Sequence, residues 1–156
     1  MFQIASISKS FWASGLLQLR QEGKLDFSKP IAEYLPWFRI DSSFAPITTH
    51  HLLTHTSQLP GIPSPFLSDP SQKHRAADPP GQYFHYNNMA FVVLGHLLWT
   101  LDGKPLPEVF RKRVFAPLGL TQAEPGITRD VRGGTAKHYA AFQTARHGRR
   151  SGKPSE

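Results

Sequence analysis

The sequence of 156 residues has no cysteine, which excludes disulfides and thiolate metal sites while leaving the compartment open. It has no run approaching the roughly 20 apolar residues that a membrane span requires. A secretory leader is not expected at Met1 to Gln21, because no basic region opens it and Lys9 and Arg20 interrupt its apolar part. Acidic residues are scarce, 11 against 18 Lys and Arg, for a formal charge of +7. Four of those cations, Arg146, Arg149, Arg150 and Lys153, fall in the last eleven residues beside Gly, Ser and Pro. That crowding reads as a solvated basic tail. Nucleic-acid contact is the competing reading of the tail; it rests on charge alone, and no nucleic-acid partner is expected.

What is present describes a globular chain, 39% hydrophobic and 19% charged, long enough for one domain with a core. Residues 6–22 read as a first helix, with Phe11, Trp12, Leu16 and Leu19 at helical spacing and Gly23 as its stop. Ser28 is a candidate cap for a short helix from Ile31 to Tyr34, with Pro30 near its first turn and Leu35-Pro36 at its end. Thr48 or Thr49 caps a second short helix through His55. Residues 57–81, rich in proline, read as a long loop with room for one helical turn. Asn87 or Asn88 caps the strongest helix, 88–101, which is apolar nearly all round and therefore predicted to be buried. Pro107 opens an amphipathic helix through Val114 that stops before Pro117. A short helix is conceivable within 128–142, and no run of strands stands out. The expected division is a domain over 1–125 and a weakly structured to disordered basic tail over 126–156.

The chemistry-bearing pattern is Ser6-Ile7-Ser8-Lys9. A serine and a lysine three apart on a helix share one face. There an amine can take the proton from the hydroxyl and turn a weak alcohol into a nucleophile. His51 and His55 stand four apart with His50 adjacent, a spacing that metal ligands use. No Glu completes an H-E-x-x-H pattern and no third ligand is evident, so neither a metal nor a cofactor is expected.

Companions in order give the tetrad its meaning. They are Phe2 to Phe11, Glu22-Gly23-Lys24-Leu25, Tyr34-Leu35-Pro36, Leu52-Leu53-Thr54-His55-Thr56-Ser57, Pro80-Gly81, Phe84-His85-Tyr86-Asn87-Asn88, Leu94-Gly95 and Phe115-Ala116-Pro117-Leu118-Gly119-Leu120. Over roughly residues 2–121 the chain resembles the serine β-lactamase-related family, which includes class C β-lactamases, penicillin-binding DD-peptidases and esterase-like relatives. The resemblance implies Ser6 as nucleophile, Lys9 as its paired base, Tyr86 as proton relay and Asn88 as the group that orients a substrate amide. It implies a small-molecule or peptide substrate with a hydrolysable amide, ester or β-lactam bond. It also implies a mostly α chain, the helical portion of an α+β β-lactamase/transpeptidase-like fold with most of the antiparallel sheet missing. His55 falls in a structural loop motif of the family.

Three departures qualify the resemblance. The family sets β-strands before its S-x-x-K helix, and here the motif opens the chain. Its late K-T-G or H-x-G triplet has no counterpart after Tyr86; Gly133-Gly134-Thr135 and Lys137-His138 lack the order. Gln58 stands where the family has Gly. The expectation is an incomplete site, weakly active or inactive alone. The alternative is a dead remnant or interaction module that self-associates through exposed apolar surface.

Overall fold

The computed structural model describes residues 3–59, 74–76 and 78–126. The expected helical turn in the 57–81 loop, the conceivable helix at 128–142 and nearly all of the basic tail lie outside those residues.

Two long helices carry the core. A 3-10 turn, Ala5–Ile7, leads into α1 (Ser8–Gln21), so the helix expected from residue 6 is α-helical only from residue 8. It ends at Gly23, whose φ of 72° suits a residue without a side chain, and the Lys24 N–H reaches back to the Leu19 carbonyl at 3.0 Å. Next comes α2 (Ile31–Tyr34), at the expected bounds but with a different start. Ser28 does not cap it: its hydroxyl donates to Asp26, and the Ile31 N–H is satisfied by the Ile47 carbonyl at 2.9 Å. The two-residue strands β1 (Ile40–Asp41) and β2 (His74–Arg75) pair in parallel, with α3 (Thr49–Leu53) between them in the chain. Those are the only strands among the described residues, so the architecture is the predominantly helical one expected.

The second long helix is α4 (Asn88–Asp102). Its N-cap is Asn87, whose side-chain oxygen accepts from the N–H groups of Met89 and Ala90, and Asn88 is the first helical residue. Gly103, at φ 71°, closes the other end. Ala90, Phe91, Val93, Leu94, Leu97 and Leu98 of α4 are buried as its apolar pattern predicts, but Val92 and Trp99 are exposed, so the helix is not buried all round. This helix packs on α1 and α3. Contact with α1 is close: a Cβ added at Gly95 would lie 2.2 Å from the Trp12 ring, so glycine is required there. The remaining helix, α5 (Leu106–Phe110), starts one residue before Pro107 and passes into a π turn, Arg111–Phe115. The Ala116 N–H bonds the Arg111 carbonyl five residues back. This wider turn buries three consecutive residues, Arg113, Val114 and Phe115.

Arg113 fastens the far ends of the long helices. Its guanidinium donates to Glu22 at 2.6 Å, just past α1, and to Asp102 at 2.7 Å, the last residue of α4. Its backbone carbonyl accepts from the Gln18 side chain of α1 at 2.8 Å. Hydrogen bonds from Arg113 and then Lys24 hold the Glu22 carboxyl down to about 2.

Candidate active site

At the other end of the helix pair, α1 and the segment entering α4 bring Ser6, Lys9 and Tyr86 together. One turn of backbone separates Ser6 from Lys9, and the Lys9 Nζ donates to Ser6 Oγ at 3.1 Å. From 80 residues away the Tyr86 hydroxyl donates to the same oxygen at 2.7 Å. The Lys9 Nζ also sits over the Tyr86 ring, 4.9 Å from its centroid, and over Phe91 at 5.4 Å. Hydrogen bonding with Lys9, and then with Ser6, holds the Tyr86 phenol below its ordinary value of 10. Two groups that can give or accept protons, the Lys9 Nζ and the Tyr86 hydroxyl, thus converge on the Ser6 oxygen.

Asn88 lines a cavity of about 270 Å³ with Ser6, Lys9, Trp12, Phe91 and Val92. No hydrogen bond joins it to Lys9 among the described residues, so it shares the cavity without joining the cluster. The backbone beside the nucleophile is strained. Ala5 has φ 44°, a left-handed conformation that costs a residue with a Cβ about 1–2 kcal/mol. Such strain concentrates where a surrounding structure over-determines a functional geometry.

The loop beneath Tyr86 carries two more left-handed residues, His55 at φ 58° and Gln58 at φ 55°. The Gln58 backbone is one that glycine adopts freely, which gives a physical reason for the family's Gly at this place. Gln58 compensates in part by donating from its amide to the Tyr83 carbonyl at 2.6 Å. His55 is buried. Its Nδ1 accepts the Asn87 N–H at 3.0 Å, and its carbonyl accepts the His85 N–H at 2.8 Å. Burial, and then the Lys9 charge, lower its pKa below the ordinary 6.5. His51 is engaged elsewhere, its Nδ1 accepting the Thr48 N–H at 3.2 Å in a capping box that opens α3. No set of three metal-ligating side chains gathers among the described residues. The His55 ring contact with Tyr86 and the Arg113 clamp have no signature in the sequence.

Residues 1–155 match the family model described as Beta-lactamase. The putative penicillin-binding protein PbpX of Bacillus subtilis (strain 168) is 29% identical over 130 residues, covering 78% of this chain and 32% of that protein. Esterase EstB of Burkholderia gladioli is 32% identical over 146 residues, covering 77% of this chain and 37% of that protein. Among solved structures, a beta-lactamase/D-alanine carboxypeptidase from Yersinia pestis superposes with a TM-score of 0.68 at 26% identity, covering 83% of this chain and 42% of that one. The chain thus spans about a third of the length of the curated relatives it matches.

Proposed function

The chain belongs to the beta-lactamase family, and from that premise we propose that it carries the nucleophilic half of a serine acyl-transfer site. Members of the family are serine hydrolases that act on β-lactam, amide or ester substrates. For this chain the supporting observation is the pair of hydrogen bonds that meet on Ser6 Oγ, from Lys9 at 3.1 Å and Tyr86 at 2.7 Å.

In this reading Lys9 reacts as the neutral amine: Ser6 Oγ forms a bond to the substrate carbonyl carbon, and its proton passes to the Lys9 Nζ lone pair. The carbonyl π electrons move to oxygen, giving a tetrahedral oxyanion. Collapse of that species expels the leaving group, which takes up the proton through the Tyr86 hydroxyl and leaves an acyl-serine. Water then adds to the ester with proton transfer to the same groups, and breaking of the acyl–oxygen bond releases the acid and restores Ser6. Asn88, on the wall of the cavity, offers a donor and an acceptor to a substrate amide. A full oxyanion site is often the largest contribution to catalysis, and among the described residues no strand borders Ser6. Turnover by this chain alone is accordingly weak or absent, and acylation is the step to test.

A second reading, an interaction module of the same fold, draws on the exposure of Ile7, Tyr83 and Phe84, at 65, 61 and 70%. Incubation with a fluorescent penicillin and with a fluorophosphonate, followed by mapping of adducts by mass spectrometry, separates the two. An adduct on Ser6, lost in Ser6→Ala, supports acyl transfer. No adduct with either probe, together with concentration-dependent oligomers in sedimentation, overturns it in favour of the module.

A further inference from the structure

The Tyr86 hydroxyl meets Ser6 only if residues 85–87 are held at one height above α1. Neither α1 nor α4 does this alone, because Tyr86 precedes the first turn of α4. The segment is gripped instead from α3's trailing loop. The His55 carbonyl takes the His85 N–H at 2.8 Å, and the His55 Nδ1 takes the Asn87 N–H at 3.0 Å. Between those two anchors the His55 ring lies under the Tyr86 ring, centroids 4.5 Å apart and tilted by 33°. Phe91 and Phe84 border the same imidazole at 5.2 and 5.7 Å. One residue therefore holds the backbone on both flanks of Tyr86, by its main-chain carbonyl at His85 and its side chain at Asn87, and supports the Tyr86 ring from below.

We infer that His55 is a positioning residue for Tyr86, holding the phenol on Ser6 chiefly through the Nδ1 acceptor, with the ring stack secondary. The role in catalysis rests on the acyl-transfer reading above; the positioning itself does not. The left-handed φ of 58° supports the assignment, since a buried histidine is kept in a costly conformation that presents its carbonyl and its ring to one segment. The acceptor role at Nδ1 places the ring proton on Nε2, which is the neutral tautomer.

Two substitutions divide the two contributions. His55→Asn keeps an acceptor near the Nδ1 position and tolerates left-handed φ, while losing the ring. His55→Phe keeps the ring and loses the acceptor, leaving the buried Asn87 N–H unsatisfied. The readout is the titration of the Tyr86 phenol in the full chain, by ultraviolet difference spectroscopy with Tyr86→Phe as the assignment control, and it needs no turnover. The expected result is an upward shift of the Tyr86 midpoint toward the ordinary tyrosine value in His55→Phe, as the phenol leaves Lys9 and Ser6. In His55→Asn the midpoint stays near the parent value. A midpoint unchanged in both variants, or shifted equally in both, overturns the inference. If His55→Phe does not fold, exchange of the Asn87 amide in His55→Asn decides: parent-like protection supports the anchor and free exchange overturns it. Absence of Ser6 labelling in the parent would sink the acyl-transfer reading and leave this outcome standing.

Discussion

Gly95→Ala tests the helix–helix contact on which the site depends. A Cβ at residue 95 would meet the Trp12 ring at 2.2, 2.7 and 3.3 Å. Reaching even the lower edge of ordinary van der Waals contact, 3.4 Å, from 2.2 Å requires the ring to move by about 1.2 Å. Trp12 is wedged edge-on against Phe110, with centroids 5.0 Å apart. Overpacking of this kind costs about 1–3 kcal/mol, and displacement of an indole calls for the upper end. Replacing a helical glycine returns about 1 kcal/mol of propensity. The net expectation is a loss of about 2 kcal/mol, or about 8 °C in melting temperature for a domain of this size. Gly15→Ala supplies the control, because it makes the same chemical change on α1. Its Cβ would touch only the tip of the Leu98 side chain, at 3.3 Å, and stability should stay within about 1 kcal/mol of the parent as propensity offsets a small shift. Trp12→Leu combined with Gly95→Ala should recover most of the loss in a double-mutant cycle. Thermal unfolding followed by far-ultraviolet circular dichroism measures the parent, Gly15→Ala, Gly95→Ala, Trp12→Leu and the Trp12→Leu/Gly95→Ala double variant. A Gly95→Ala melting point equal to that of Gly15→Ala would refute the close approach of α1 and α4.

Arg113→Ala strands the buried Asp102 carboxylate and should cost about 3–5 kcal/mol in urea unfolding, whereas Asp102→Ala added to it recovers part of that loss. Glu22 contributes stability that is fully present above pH 4.5, because its folded pKa is depressed to about 2; the contribution is lost as pH falls from 4.5 toward 2. Glu22→Gln should flatten the pH dependence of the urea midpoint over that window. At left-handed residue 58, Gln58→Gly should leave stability within about 1 kcal/mol of the parent, since relieved strain offsets the lost amide bond to Tyr83, while Gln58→Val should cost about 1–2 kcal/mol. Thermal melts of both variants check it.

Local chemistry made part of this fold readable from sequence. The apolar sweep of α4 and the Leu35-Pro36 stop of α2 are signals written within a few residues, and both elements stand where they were expected. The choice between Asn87 and Asn88 as cap was not readable, because both side chains can cap and only the extended backbone of Asn87 (φ −138°, ψ 114°) decides. Ser28 looked like a cap for the same reason, and lost the role to the Ile47 carbonyl, a partner from a later segment. Ser6 and Lys9 share a helical face, so their contact follows from spacing; the meeting with Tyr86 depends on how α1 and α4 cross. Arg113 left no trace because Glu22 lies 91 residues from it and no local pattern links them. His55 resembled one member of a histidine pair, and its ring contact with Tyr86 exists only once α3 and α4 are packed.

The 80 residues between Ser6 and Tyr86 also set a delay in time. At a synthesis rate of about 5–20 residues per second, Tyr86 is made about 4–16 s after Ser6. For that interval Leu16 and Leu19 of α1 have no α4 to cover them, although both are fully enclosed in the finished protein. At that stage the nascent α1 presents its apolar residues without their partner helix, as a holdase chaperone would recognise them. Slowing synthesis between residues 22 and 88 should lengthen that stage and raise the aggregated fraction, without any change to the folded molecule.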